Sequence, residues 1–286
     1  MTFKTQMGIK KASGYFGLLF IYVVIIAGAI AMIFPFAWMA STSLKGRTNL
    51  FVYPPQLLPN WPWQWNNYKQ VFTRLPMAMG FFNSAKIAVI NTLGTLLSAT
   101  MAAFGFAKLR FRFRNQLFMV LLATMMIPGQ VTLIPMFVWF KNFGWIDTHL
   151  PLIVPAVLCN AYGVFLLRQF FMTIPDSYAE SAKIDGANYL TIFFRIMLPL
   201  CVPAMATLGV FCFMGNWNSF LTPLIYLNTR TKFTIPLLLM SFQNGYTRNW
   251  NLLMAASTIS VLPIILIYIF AQRYFIEGVV LSGVKG

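Results

Sequence analysis

"GYFGLLFIYVVIIAGAIAMIFPFAWMAS" (residues 14–41) carries no charged side chain from its first residue to its last. Crossing the hydrocarbon core of a bilayer takes about 20 consecutive apolar residues, and this run exceeds that. It is also much longer than the apolar core of a secretory signal, so it reads as a span kept in the mature protein. The rest of the chain is built alike. Of 286 residues, 59% are hydrophobic and 9% charged, with a mean hydropathy of +0.71, whereas soluble domains carry roughly a quarter charged residues. Apolar runs mark spans at 14–41, 84–107, 116–140, 150–171, 199–222 and 252–272. None shows the period-two alternation of a barrel strand, and only helices or closed barrels satisfy their backbone in lipid. The expected fold class is an all-α membrane protein with six transmembrane helices. Pro35, Pro128, Pro135, Pro155, Pro203 and Pro263 fall inside these runs, and each removes a backbone donor and predicts a kink.

The net charge of +16 raises the question of nucleic acid, but the basic residues sit at the ends of apolar runs. That is the topology bias of membrane proteins. The cluster "KLRFRFR" (108–114) is the densest, and beside a span it reads as an inside anchor rather than a nucleic-acid strand. It places the N-terminus (1–13), the basic loop (108–115), the loop 172–198 and the tail (273–286) in the cytoplasm. The segments 42–83, 141–149 and 223–251 then lie outside. The protein is expected to be a multi-pass membrane protein with both termini inside. Pro54, Pro55, Pro59 and Pro62 break the first outer segment, and Trp61, Trp63 and Trp65 favour the lipid–water boundary along the outer surface.

Several classes of function are excluded or disfavoured. No phosphate-binding loop of the form Gly-x-x-x-x-Gly-Lys-Ser/Thr occurs. His149 is the only histidine, and no cluster of His, Cys and acids offers a metal site or a hydrolytic centre, so no catalytic residue and no cofactor is assigned to this chain. Cys159, Cys201 and Cys212 lie in apolar runs and read as free core thiols. No Asp or Glu falls inside a span, which speaks against a proton-coupled carrier. Sodium coupling through backbone carbonyls stays open. A self-sufficient secondary carrier is thus one alternative, and energy supplied by another chain the other.

The acids gather elsewhere. "PDSYAESAKIDGANYLTIFFRIMLP" (175–199) holds Asp176, Glu180 and Asp185, out of five acids in the chain. Ser177 followed by Glu180 fits a capping box, Gly186 is placed to end a short helix, and Asn188 to cap a second. Two turns are not stable alone in water, so something must hold them. Ala179, Ala182 and Gly186 are spaced i, i+3, i+7 and share a face. That spacing predicts a small-residue surface which another protein approaches closely, with Glu180, Lys183 and Asp185 fixing orientation. A solvated connector is the plainer reading. Within the spans, Asn160, Tyr162, Asn216, Trp217 and Asn218 are candidates to line a solute path. Their structural alternative is hydrogen bonding between helices, worth about 1 kcal/mol each. Lys86 reads as a residue that snorkels at a membrane edge.

The same loop resembles that of the membrane (permease) subunits of binding-protein-dependent ABC importers. Their pattern is Glu-Ala-Ala, three residues, Gly, nine residues, then Ile-x-Leu-Pro, matched here by Glu180, Ala182, Gly186, Ile196, Leu198 and Pro199. Ser181 stands in place of the middle alanine. "AKIDGAN" (182–188), "MMIPGQVTLIP" (125–135), "GNWNSFLTPLIYL" (215–227) and "QRYFIEGVVLSGVKG" (272–286) are similar to the carbohydrate-uptake branch, in particular the smaller membrane subunit of maltose-type importers. The likeness covers residues 80–286, with weaker agreement before them. It implies a type I importer permease fold, paired with a second, homologous permease subunit, two ATPase subunits and a soluble substrate-binding protein. ATP and Mg would be held by the ATPase subunits, and the cargo would be a sugar or oligosaccharide, with a non-sugar solute as the alternative. Ser177, Ala179, Glu180, Ser181, Ala182, Asp185, Gly186 and Ala187 would form the coupling helix against an ATPase subunit. Gly283, Val284, Lys285 and Gly286 would reach the ATPase pair, and the last outer loop would touch the binding protein.

Overall fold

The computed structural model describes the backbone of residues 3–50, 52–158, 160–242 and 249–283, with side chains for these except within 3–16 and 273–283. In chain order the helices are α1 (Phe3–Ser43), α2 (Asn66–Arg74), α3 (Met77–Lys108), α4 (Arg114–Thr124), α5 (Gly129–Asn142), α6 (Leu150–Leu158) and α7 (Ala161–Thr173). They continue as α8 (Ser177–Ile184), α9 (Tyr189–Ile192), a π-helical turn (Phe193–Met197), α10 (Leu198–Leu200), α11 (Val202–Trp217), α12 (Leu221–Tyr226), α13 (Ile235–Met240) and α14 (Trp250–Gly283). Gly17–Ser43, Met77–Lys108, Leu150–Thr173 and Trp250–Gln272 are each long and apolar enough to cross a membrane, and two bent pairs raise the number to six when each is taken as one span.

The bends have local causes. The stretch 116–140, expected as one kinked span, is two helices, α4 and α5, meeting at 92°. Pro128 has no N–H with which to bond the carbonyl of Thr124, four residues back, so the helix stops there and restarts at Gly129. The second bent pair joins Tyr189–Leu200 to α11 at 75°. Its helix begins ten residues ahead of the expected span at 199, and the turn at Cys201 lies between Pro199 and Pro203. Pro35, Pro135 and Pro263 stay inside continuous helices. α14 runs past residue 272, so Glu277, expected beyond the last helix, belongs to its backbone.

By contacts the chain forms two units, residues 1–71 with 242–259, and 72–241 with 260–286. In the first, Asn67 donates to Ser43 O at 2.8 Å and Lys45 O at 3.1 Å and accepts from Asn251 Nδ2 at 3.0 Å, pinning the segment after α1. Trp61, Trp63, Trp65 and Tyr68 follow ring on ring at 6.3, 6.2 and 6.0 Å. The apolar side chains of α1 from Leu18 to Phe36 are exposed around its circumference, a surface suited to lipid or to a partner's helices.

The second unit is organised around α3, against which α6, α7 and α11 pack. Close approach depends on small residues, as is usual between membrane helices. A Cβ on Gly94 would stand 2.5 Å from Val157 Cγ2. Polar side chains on α3 answer carbonyls on its neighbours. Asn91 donates to Leu152 O at 2.9 Å and to Asn216 Oδ1 at 2.5 Å, and Thr95 to Ala156 O at 3.0 Å. Ala156 is among the last four residues of α6, whose carbonyls have no partner within the helix. Replacing Gly94 with Val overpacks this contact and costs about 1–3 kcal/mol. Gly94→Val is therefore expected to lower the melting temperature of the purified protein in detergent, whereas Gly105→Ala, where nothing lies within 4 Å of the added Cβ, leaves it equal or higher.

Candidate functional site

α8 is the short helix expected in the acidic loop, but its start and its faces differ from the sequence reading. The capping box does not form. Asp176, not Ser177, is the N-cap, and its carbonyl accepts from Ala179 N at 2.9 Å and Glu180 N at 3.0 Å. Ser177 is already helical, so its hydroxyl is one residue too late to cap. The Asp176 carboxylate makes no capping bond either; it takes the ammonium of Lys108 at 2.5 Å. That ion pair holds the carboxyl below its usual range, chiefly by the hydrogen bond from Lys108. With the Asp176 side chain 75% exposed, such a pair contributes at most about 1 kcal/mol.

The C-terminus follows expectation. Gly186 has φ +80°, a left-handed conformation in which a side chain is strained. Gly186 N donates to Lys183 O at 3.0 Å and Ala187 N to Ala182 O at 2.8 Å, the paired bonds of a Schellman ending. Asn188 Oδ1 then caps α9, accepting from Thr191 N at 2.8 Å.

The two alanines of the small face point inward, whereas Gly186 is exposed. Ala182 is buried in a cluster with Phe104, Phe171, Ile192, Phe193 and Met197, and Ala179 and Ala187 pack at its edge. Phe104 stands 6.1 Å from Phe171 and 5.2 Å from Phe193, ring to ring. Ala182 is 8% exposed, so a larger side chain there would have to displace this cluster. The reading of Ala179 and Ala182 as an open docking surface is thus corrected: the chain's own aromatic cluster occupies it. What faces out is Ser177, Tyr178, Glu180, Ser181, Lys183, Ile184 and Asp185. Ile184 is 86% exposed and Tyr178 52%. A cleft of about 320 Å³ at the base of α8 is lined by Lys108, Arg110, Asp176, Glu180, Lys183 and Tyr189.

The five intramembrane candidates divide. Asn160 Oδ1 caps α7, accepting from Gly163 N at 2.7 Å. Asn216 donates to Cys212 O at 2.7 Å and accepts from Asn91. Trp217 is buried, stacks on Phe213 at 5.6 Å, and donates Nε1–H to Ser260 O at 3.1 Å. Asn160 is occupied in its own helix, and Asn216 and Trp217 in holding the bundle. Tyr162 and Asn218 are exposed and stay available to a solute. Asn91 and Thr95 were missed, although their i, i+4 spacing in an apolar run was a visible signal of a polar stripe.

A second organised site involves Asp147, in the left-handed region at φ 58°. Its carboxylate accepts from Asn228 N and Thr229 N, both at 2.9 Å, from Thr229 Oγ1 at 2.7 Å and from Lys232 Nζ at 2.9 Å. These donors, Thr229 foremost, hold its carboxyl far below the usual range. His149 Nε2–H donates to Lys232 O at 2.8 Å, and burial pushes the imidazole down, keeping it neutral. The loop 228–232 is therefore locked from several sides while Arg230 at its tip is exposed. Among the described residues no group of three His, Cys, Asp or Glu side chains converges as a metal site. Of the tail, the backbone of Gly283 ends α14; Val284, Lys285 and Gly286 lie outside the described residues, as do Cys159 and Arg248.

Among the described residues, several apolar helices long enough to cross a membrane, some broken at prolines, define an α-helical membrane protein. Residues 73–280 match the family described as the binding-protein-dependent transport system inner membrane component, and the chain belongs to that family. It is 36% identical over 206 residues to the arabinooligosaccharides transport system permease protein AraQ of Bacillus subtilis, covering 72% of this chain and 73% of that protein. It is 31% identical to the lactose transport system permease protein LacG of Rhizobium radiobacter, covering 92% and 95%. A crystal structure of a bacterial ABC transporter involved in import of the acidic polysaccharide alginate contains a chain of the same fold, with a TM-score of 0.81 at 22% identity, covering 92% and 98%. The fold is that of an ABC importer permease, and the chain is a membrane subunit of a binding-protein-dependent importer rather than a carrier that works alone.

Removing the Asp147 carboxylate frees four donors at once, and hydrogen bonds to a charged group are worth about 1.5–3 kcal/mol each. Asp147→Ala is expected to speed trypsin cleavage after Arg230 and Lys232 at least tenfold. Since the folded carboxyl titrates below the unfolded one, its stabilisation is complete above about pH 4 and fades only as pH falls through the folded value. Cleavage of the native loop, measured relative to an unstructured peptide cut in the same buffer, is accordingly the same at pH 8 and pH 6.

Proposed function

We propose that this chain is one of two different, homologous permease subunits that together carry a sugar or oligosaccharide across a bacterial cytoplasmic membrane. Both termini, the basic cluster 108–114 and α8 lie in the cytoplasm, in keeping with the positive-inside bias of Lys108, Arg110, Arg112 and Arg114. Two ATPase subunits bind beneath and hold ATP and Mg, and a soluble binding protein delivers cargo near the exposed tip Asn228–Thr231. The carbohydrate cargo is supported by the named substrates of the relatives, arabinooligosaccharides and lactose. This chain contributes no catalytic group. The tail, Gly283 to Gly286, reaches the ATPase pair.

The observation that carries the reading is the outer face of α8. Ile184 and Tyr178 project from a helix whose inner face is filled, and an isoleucine 86% exposed beside charges gains about 1.5–3 kcal/mol when covered. Ser177, Ser181 and Asp185 share that face and supply hydrogen bonding and charge, while Ala179, Ala182, Gly186 and Ala187 set the depth and angle of the helix. Driving a two-state bundle from about 1:99 to 99:1 takes roughly 5.5 kcal/mol, and this seat is where the ATPase delivers it. Ile184→Asp is expected to cut co-purification of the ATPase subunits about tenfold or more without lowering the amount of permease in the membrane. A cysteine at Ile184 should also form a disulfide with a cysteine scanned across the ATPase surface. Full retention of the ATPase by Ile184→Asp, or no cross-link at any position, rejects the assignment.

A further inference from the structure

Lys108 is the last residue of α3, at a membrane edge where a lysine ordinarily extends its ammonium into water. Here its side chain is 7% exposed. It turns inward and donates to Ile174 O at 2.6 Å and to Asp176 Oδ1 at 2.5 Å. Ile174 ends α7 and Asp176 begins α8, so one ammonium joins three elements. The aspartate forgoes the capping bond its position favours in order to hold that cation. Among the described residues this is the only ion pair in which the segment around α8 takes part.

Besides the backbone on either side and the ammonium of Lys183 over the Tyr189 ring at 4.8 Å, α8 is held by apolar contacts. Ala182 against Phe104, Phe171 and Phe193 resists a push toward the bundle, but such contacts are non-directional and give little resistance to pulling or sliding. The backbone carries any displacement of α8 into α7 and α9, and a direct route from α8 to α3 needs a directional side-chain tie. Lys108 makes two, and it sits on the helix against which α6, α7 and α11 pack. We propose that Lys108, through Asp176, is a positioning residue that transmits displacement of α8 to α3, making α3 the helix through which the ATPase cycle reaches the bundle. The inference rests on the reading of α8 as the ATPase seat, and its test separates the two.

The assembled complex of both permeases and the ATPase subunits is reconstituted in lipid nanodiscs, with Cys159, Cys201 and Cys212 replaced by alanine. Single cysteines are placed at the exposed α3 positions Met79, Phe82, Leu93, Leu97 and Met101. Each is labelled with a maleimide with and without ATP plus vanadate, and the disulfide between Ile184→Cys and the ATPase is followed in parallel. In the native background at least one position should change its labelling rate threefold or more between the two states. Lys108→Met, which keeps the buried stem, should abolish that change, and Asp176→Asn, whose amide oxygen still accepts but carries no charge, should reduce it, while the cross-link persists in both. Lys108→Arg, which keeps the charge and the donors, should restore it. The proposal is overturned if α3 labelling ignores nucleotide in the native background, or if both variants respond as the native chain does. Loss of the cross-link in Asp176→Asn also overturns it, by showing that the pair seats α8 rather than transmitting from it. A cross-link absent from the native complex refutes the docking reading instead.

Discussion

Carbonyls at helix ends and in loops must be answered inside an apolar bundle, and α3 answers several of them. Asn91 and Thr95 bond the α6 carbonyls Leu152 O and Ala156 O, and Asn91 extends the network to Asn216 on α11. Farther along the same helix, Asn83 donates to Thr231 O and Phe233 O, and Ser84 Oγ accepts from Ile235 N. In water these groups would be solvated at little cost; in lipid each unanswered one costs several kcal/mol.

Both ends of the second unit use the same device of a charged group shared among several elements. Asp147 collects backbone and side-chain donors from residues 228–232, and Lys108 collects acceptors from the ends of α7 and the start of α8. Each fixes a loop that would otherwise pay conformational entropy on meeting a partner. The result is a short rigid surface at either end of a bundle whose interior is mostly apolar.

Much of this was legible from residue order. The apolar runs, the absence of charge within them and the prolines establish an all-helical membrane protein, and the Glu180–Gly186–Pro199 spacing points to the importer family. Gly186 and Asn188 were correctly placed as punctuation because αL conformation and N-capping are local demands on single residues. The capping box failed because Asp176 competes for the same position and is itself claimed by Lys108, 68 residues away in sequence. Asn216 and Trp217 read as possible path residues, since nothing in a linear run shows which helix lies beside an asparagine.

What residue order determined by itself is which side chains share a stripe, since 3.6 residues per turn puts Ala179, Ala182 and Gly186 on one side of α8 whatever surrounds it. Whether Ala179 and Ala182 look out to a partner or in to the bundle was decided only when Phe104, Phe171 and Phe193 came together from three separate helical segments. Helical periodicity is a property of one backbone, whereas inward and outward are defined by what else is packed there. The rings filled the inner side and so turned Tyr178 and Ile184 toward whatever binds from outside.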